Sequence, residues 1–180
     1  MKVLGLSGSL RAGSHNSKLL RAAGDLLPGE AELVEFDRLK LIPPFDEDDE
    51  HARPDEVQAL FDAIAESDAV LISTPEYNHS IPGQLKNALD WLSRPLAESP
   101  LRNKPAAVVG TSTGLFGAVW AQAEGRKVLS AIGAKVIDRE LPVGMADSAF
   151  HADGSLLDDG HTAALNEILD ELMARRPVAA

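Results

Sequence analysis

Asp68-Ala69-Val70-Leu71-Ile72-Ser73-Thr74 is an almost unbroken apolar run that stops at Pro75. A short run of this kind, apolar on both alternate faces, is the pattern of a central strand in a parallel sheet, covered by helices on each side. The neighbouring segments supply those helices. Before it, Pro54–Ser67 places Val57, Leu60, Phe61 and Ile64 on one helical stripe, with Pro54 suited to the first turn. After it, a second helical pattern runs from about Pro82 to Leu92.

The same alternation extends in both directions. Lys2–Ser7 reads as the first strand, followed by a Gly/Ser loop and a helix from about Asn16 to Leu27 that Pro28-Gly29 ends. Ala31–Asp37 alternates apolar and polar, as a half-buried or edge strand does. Ala106–Thr111 is a fourth strand, Gly117–Ile132 a helix with Gly133 at its C′ position, and Ala134–Ile137 a short fifth strand. The last helix, Asp159 to Arg175, carries its apolar stripe at Leu165, Ile168, Leu169, Leu172 and Met173, with Arg175 and Arg176 at its negative end. Strict βα alternation predicts an α/β fold, a flavodoxin-like doubly wound five-stranded parallel sheet in the order 2-1-3-4-5 with helices on both faces.

With 180 residues the chain is long enough for one domain, read here as 1–177 with a short tail at 178–180. Its formal charge of −11 does not fit a protein that grips nucleic-acid phosphates, and an anionic membrane would repel it. The absence of cysteine excludes disulfides, thiolate metal sites and a cysteine nucleophile. No apolar run reaches the length of a signal-peptide core or a membrane span, so the expectation is a soluble cytoplasmic protein. The acidic stretch Asp46–Glu50 beside His51 reads as a solvated loop rather than a metal site.

In a doubly wound sheet, ligands bind outside the carboxyl ends of the strands, near the point where strand order reverses. Three unusual loops fall on that edge. The first, Gly8–Asn16, lacks both the G-x-G-x-x-G glycines and a closing Gly-Lys-Ser/Thr, so it is neither a dinucleotide fingerprint nor a Walker A loop. It offers hydroxyls at Ser9 and Ser14, a cation at Arg11, an amide at Asn16, and N–H groups at a helix start. That set suits a terminal phosphate monoester, although Ser14 alone would explain an N-cap. The second, Thr74–Gly83, holds the only tyrosine, Tyr77, between Pro75 and Pro82; it suits the edge of a flat heterocycle, with Ser80 placed to cap the next helix. The third, Gly110–Gly117, includes Ser112 and Gly114, and its glycines permit close backbone approach to a ligand. A phosphate cradle plus two loops around a flat ring describes a site for flavin mononucleotide (FMN).

The sequence also resembles the NADPH-dependent FMN reductases, a group that includes bacterial NAD(P)H:quinone reductases, chromate reductases and related azoreductases. The resemblance rests on Gly8-Ser9-Leu10-Arg11 with Ser14 and Asn16, and on Pro75-Glu76-Tyr77-Asn78 with Ser80, Pro82 and Gly83. It continues through Leu85–Ala88 and Asp90–Arg94, and extends to Ile42–Asp46 and the Asp153–Leu157 turn. It implies that Ser9, Leu10, Arg11, Ser14, His15 and Asn16 surround the FMN phosphate. Pro75, Glu76, Tyr77 and Asn78 would then lie along the isoalloxazine, with further contacts from Ser112 and Gly114. It also implies a homodimer built partly on the Pro82–Arg94 helix, with dimers able to pair into tetramers. One departure stands out. Where the family often has Gly-Gly-x-Arg-x-Gln, this chain has Gly117-Ala118-Val119-Trp120-Ala121-Gln122, so Trp120 replaces the arginine.

The function this implies is hydride transfer from NADPH or NADH to flavin N5, then to a small-molecule acceptor: a quinone, chromate, an azo dye or free flavin. The cycle is ping-pong, the cofactor carries the chemistry, and no catalytic side chain or metal is required. Two other readings use the same fold. One is a flavodoxin-type electron carrier, the other a reductase supplying reduced FMN to a partner monooxygenase.

Overall fold

The computed structural model describes residues 1–175. The apolar run becomes β3 (Ala69–Thr74), buried along its whole length. It pairs in parallel with β1 (Lys2–Ser7) on one side and β4 (Pro105–Thr111) on the other. With β2 (Glu32–Glu35) and β5 (Lys135–Val136) the sheet order is β2-β1-β3-β4-β5, as the alternation predicts. The order reverses between β1 and β3, which fixes the carboxyl ends of these strands as the place for a ligand.

Alternation along each strand feeds two cores. Val70 and Ile72 join Leu4 and Leu6 against α2 (Asp55–Ala65), α3 (Gly83–Leu92) and α4 (Val119–Ile132). Ala69 and Leu71 join Val3 and Val109 against α1 (His15–Leu26) and α5 (Asp159–Ala174), where Leu19, Leu165, Ile168 and Leu172 are buried. Burial on both faces is why these strands read as apolar runs rather than as alternating patterns.

The helix starts differ from expectation for local reasons. Pro54 and Pro82 have ψ of 149° and 142°, so each stands at the N-cap just outside its helix rather than in the first turn. Ser80 does not cap α3 but bridges back to Tyr77. Helix α4 begins at Val119 because Gly117 and Ala118 both have positive φ, 54° and 62°. A Cβ on Gly117 would lie 2.1 Å from the carbonyl carbon of Pro142, so this crossing admits only glycine.

A sixth strand was not legible in the sequence. β6 (Pro142–Val143) pairs with β4 at Gly110 and Thr111, beyond the β5 pairing at Pro105 and Ala106. The side-chain amide of buried Gln122 fills the gap between the two short strands. Leu141 N donates to its Oε1 at 2.9 Å, while its Nε2 donates to the carbonyls of Leu141 and Gly117 at 3.1 and 3.0 Å. The expected C-terminal boundary, the tail and Arg176 lie outside the described residues; Arg175 caps α5 and donates to Val136 O at 3.0 Å.

Candidate functional site

The loops after β1, β3 and β4 meet at one edge of the sheet, each held by identifiable bonds. In the first, Ser14 is the N-cap of α1, its hydroxyl accepting from Asn16 N and Ser17 N at 3.1 and 3.3 Å. No backbone N–H from Leu10 to Ser14 has an acceptor among the described residues. A run of free N–H groups leading into a helix N-terminus forms an anion-binding concavity.

Asn16 is buried, and its amide ties the start of α1 to the ends of β3 and β4. Ser73 Oγ and Thr111 N donate to Oδ1 at 2.9 and 3.2 Å, and Nδ2 donates to Thr111 O at 3.1 Å. Its side chain therefore acts largely as an internal strut.

In the second loop, Tyr77 N donates to Ser80 O at 3.0 Å and Ser80 N returns a bond to Tyr77 O at 3.1 Å. Asn78 and His79 between them have φ of 53° and 61°, the two left-handed residues of a tight hairpin turn. Glu76 turns its carboxylate to α4, accepting from Trp120 N and Ala121 N at 3.1 and 3.3 Å. The third loop leaves β4 at Gly110, where a Cβ would lie 2.7 Å from Thr74 O, so the strands meet too closely for any side chain. The segment after β6 secures this loop, with Met145 N donating to Gly114 O at 2.9 Å and Ala146 N to Ser112 O at 3.0 Å.

Between the loops lies a cleft of about 190 Å³ lined by Ser9, Arg11, His15, Asn16, Pro75, Glu76, Tyr77, Thr111, Ser112 and Thr113. Larger hollows exist: one between α1 and β2, lined by Lys18, Arg21 and Glu32, lies away from the switch point, while another of about 280 Å³ adjoins the cleft on the β2 side of the first loop, lined by Ser7, Ser9, Leu10, Arg11 and Asp37. Eight of the expected residues line the cleft, and four do not. Leu10 is exposed, Ser14 is committed to capping, Asn78 sits at the turn tip, and Gly114 offers its carbonyl to Met145.

Sequence reasoning missed Thr111 and Thr113, which follow the third loop's glycine and could have been included with Ser112. It also missed the segment after β6. Asp147 Oδ1 there lies 3.1 Å from His15 Nε2, and Phe150 stacks on the His15 ring, 6.3 Å between centroids and 9° between planes. No local pattern announces that contact.

Two polar atoms of cleft residues, His15 Nδ1 and Thr111 Oγ1, are buried without a hydrogen-bond partner among the described residues. Together with the free N–H groups they leave donors and acceptors for a polar ligand, and the donor set fits the phosphate end of FMN. At the rim, Leu115, Phe116, Trp120, Tyr77 and Met145 are exposed. Trp120 packs edge-on against His79 and Phe116, with both centroid distances 5.2 Å. It is a surface aromatic and not a core residue.

Residues 1–148 match the family model of the NADPH-dependent FMN reductases. The chain belongs to that family. It is an oxidoreductase whose cofactors are FMN and a reduced nicotinamide nucleotide. An NAD(P)H-dependent FMN reductase of Pseudomonas aeruginosa is 41% identical over 174 residues, covering 96% of this chain and 93% of that one. A 2-hydroxy-1,4-benzoquinone reductase of a Burkholderia species is 34% identical, covering 97% and 95%. Among solved structures, the flavoenzyme FerB, an NAD(P)H:(acceptor) oxidoreductase from Paracoccus denitrificans, superposes with a TM-score of 0.84 at 36% identity, covering 96% and 95%. This FMN reductase relative thus shares both its fold and most of its length with them.

Proposed function

We propose that the cleft between the loops after β1, β3 and β4 holds FMN, and that the enzyme uses it to pass two electrons from NADH or NADPH to quinones. The observation carrying this reading is the run of N–H groups from Leu10 to Ser14, ahead of α1 and including Arg11, that have no acceptor among the described residues. A terminal monoester with nearly two charges matches such a nest. Bound FMN supplies the hydride chemistry at N5.

The protein's own part is positional. Ser9, Arg11 and His15 hold the phosphate end, with Ser14 and Asn16 fixing the loop that presents them. Pro75, Glu76 and Tyr77, held by the turn at Asn78, form a stiff edge for the ring, and Ser112, in the loop that Gly114 anchors to Met145, shapes the opposite wall. The quinone class is supported by the Burkholderia relative, a 2-hydroxy-1,4-benzoquinone reductase. In the same reading, chromate, azo dyes and free flavin are further acceptors at the open face.

The active form in this reading is a homodimer, with dimers able to pair into tetramers. A cleft of about 190 Å³ is smaller than the roughly 300–1,000 Å³ that usually encloses a small-molecule ligand. Its apolar rim matches surfaces that a partner covers. A groove between α3 and α4, floored by Leu89, Val128 and Ile132, is a second such surface. A cytoplasmic location belongs to the same proposal, and the need for NAD(P)H, regenerated in that compartment, supports it.

The visible spectrum of the purified protein tests the reading. A yellow protein should bleach on addition of NADPH and regain its colour with a benzoquinone. A colourless protein that also refuses added FMN overturns it. Light scattering after size-exclusion chromatography should report at least a dimer, and a monomer would refute the shared site.

A further inference from the structure

The hollow that adjoins the cleft lies on the other side of the first loop, at the carboxyl end of β2, and has a volume of about 280 Å³. Ser9 and Arg11 line both spaces, so a ligand can cross the loop from one into the other. Glu35 and Asp37 stand two residues apart and share one face of β2 and its continuation. Both line this hollow, with Lys40 beside them and with Leu10 and half-buried Phe36 as apolar walls. The neighbouring Arg38 is engaged by Glu56, whereas Glu35, Asp37 and Lys40 have no ion-pair partner among the described residues. Asp37 and Lys40 are exposed, so their charges are available to a ligand.

We infer that this hollow seats the adenosine end of the nicotinamide nucleotide, with Asp37 accepting from its ribose hydroxyls, and that it favours NADH over NADPH. The inference rests on the FMN placement proposed above, which puts the flavin ring between the loops after β3 and β4. Neighbouring strands lie about 4.8 Å apart, so the end of β2 is roughly 10 Å from that of β3. A donor with its nicotinamide on the flavin must reach back across that gap, which its ribose–pyrophosphate linkage bridges. In dinucleotide-binding sheets of similar winding, a carboxylate about 20 residues beyond the first loop takes the ribose 2′-hydroxyl of NAD, and a cation there takes the 2′-phosphate of NADP. Asp37 stands at that distance from the first loop. Both kinds of group line the hollow, but the carboxylates prevail. Arg11 is drawn to the FMN phosphate, which leaves Lys40 alone against Glu35 and Asp37. A 2′-phosphate with nearly two charges meets net repulsion there, and a neutral ribose diol does not.

Calorimetry on the FMN-loaded enzyme tests the assignment, with ADP-ribose and its 2′-phosphate as probes that lack the nicotinamide. Quinone reduction with NADH, NADPH and reduced nicotinamide mononucleotide as donors is measured in parallel. ADP-ribose should bind about fivefold more tightly than its 2′-phosphate, the effect of one like-charge contact in a water-like dielectric. The donor kcat/KM should favour NADH over NADPH by a similar factor. Asp37→Asn should narrow both ratios and Lys40→Ala should widen them, with the effects confined to donors that carry an adenosine. No binding of ADP-ribose, equal or inverted affinities in the wild type, or a ratio unmoved in either variant overturns the proposal. So does an equal effect of the variants on the mononucleotide. The flavin absorbance of each sample keeps the two readings apart. A protein without FMN refutes the cofactor placement, and a yellow protein with no such preference refutes the adenosine site.

Discussion

Glu76 Oε2 accepts a hydrogen bond from Trp120 N at 3.1 Å, so the loop after β3 supplies the cap that α4 lacks. Ala118, the residue at the N-cap position, has no side chain able to do so. The turn carrying Tyr77 is thereby fastened to the rim that carries Trp120, and His79 packs edge-on against the same indole.

Removing this tie has a measurable cost. Glu76→Ala should lower stability by about 1 kcal/mol in urea unfolding, the usual value of a lost N-cap. Glu76→Gln keeps an acceptor but gives up the negative charge at the positive helix end, and should fall between. An unmoved midpoint in the alanine variant would show that α4 does not use the cap.

Asn16 should be far less replaceable. Asn16→Leu leaves Ser73 Oγ and both the N–H and C=O of Thr111 without their buried partner, at a cost of about 2–4 kcal/mol. Denaturant unfolding of the protein stripped of FMN isolates this effect from ligand binding, and a cost under about 1 kcal/mol would contradict the strut.

Arg11 makes the opposite prediction. It is exposed, so Arg11→Ala should leave the unfolding midpoint unchanged. Losing a charge-assisted bond to phosphate, worth about 1.5–3 kcal/mol, should raise the FMN dissociation constant roughly tenfold or more. Equal affinity in the variant would remove Arg11 from the cradle.

Backbone geometry sets a sharper limit at Gly117. Gly117→Ala combines a left-handed φ with a Cβ inside the carbonyl of Pro142, so the variant should fail to reach the native state. Gly29→Ala meets nothing within 4 Å and should express and unfold like the parent. Comparable behaviour of the two variants by circular dichroism would refute the crossing.

At the far side of the molecule, hydrogen bonds from Arg139 and Arg175 hold the Glu171 carboxyl below its usual range. A carboxylate with a lowered folded value contributes stability above its unfolded titration range and loses it as pH falls through the folded one. Glu171→Gln should therefore melt slightly below the parent at neutral pH and together with it in strong acid. Parallel melting curves at every pH would refute the pairing.

How far the sequence spoke depended on the range of the physics. The strands and helices announced themselves because Val70–Ile72 or Leu165–Leu172 must satisfy burial locally, residue by residue. Ser9, Arg11 and Tyr77 were legible because their loops directly follow apolar strands. β6 was not, since a two-residue strand beginning with proline has no period to read, and its support comes from Gln122. The contact of Asp147 with His15 was equally hidden: it depends on how the chain returns after β6, which no neighbouring residue encodes. Glu76 was expected at the ring, and nothing in Pro75-Glu76-Tyr77 shows that its carboxylate turns to α4.

The break between β5 and β6 also bears on how the molecule avoids its own kind. A long, straight outer strand would present a row of open N–H and C=O groups on which another chain could polymerise. Here that border is two short pieces, with Pro142 unable to donate and an internal amide occupying the gap. The opposite border, β2, is only four residues long, with glutamates at both ends. Both margins of the sheet thus resist fibrillar growth and leave self-association to the helical and loop surfaces.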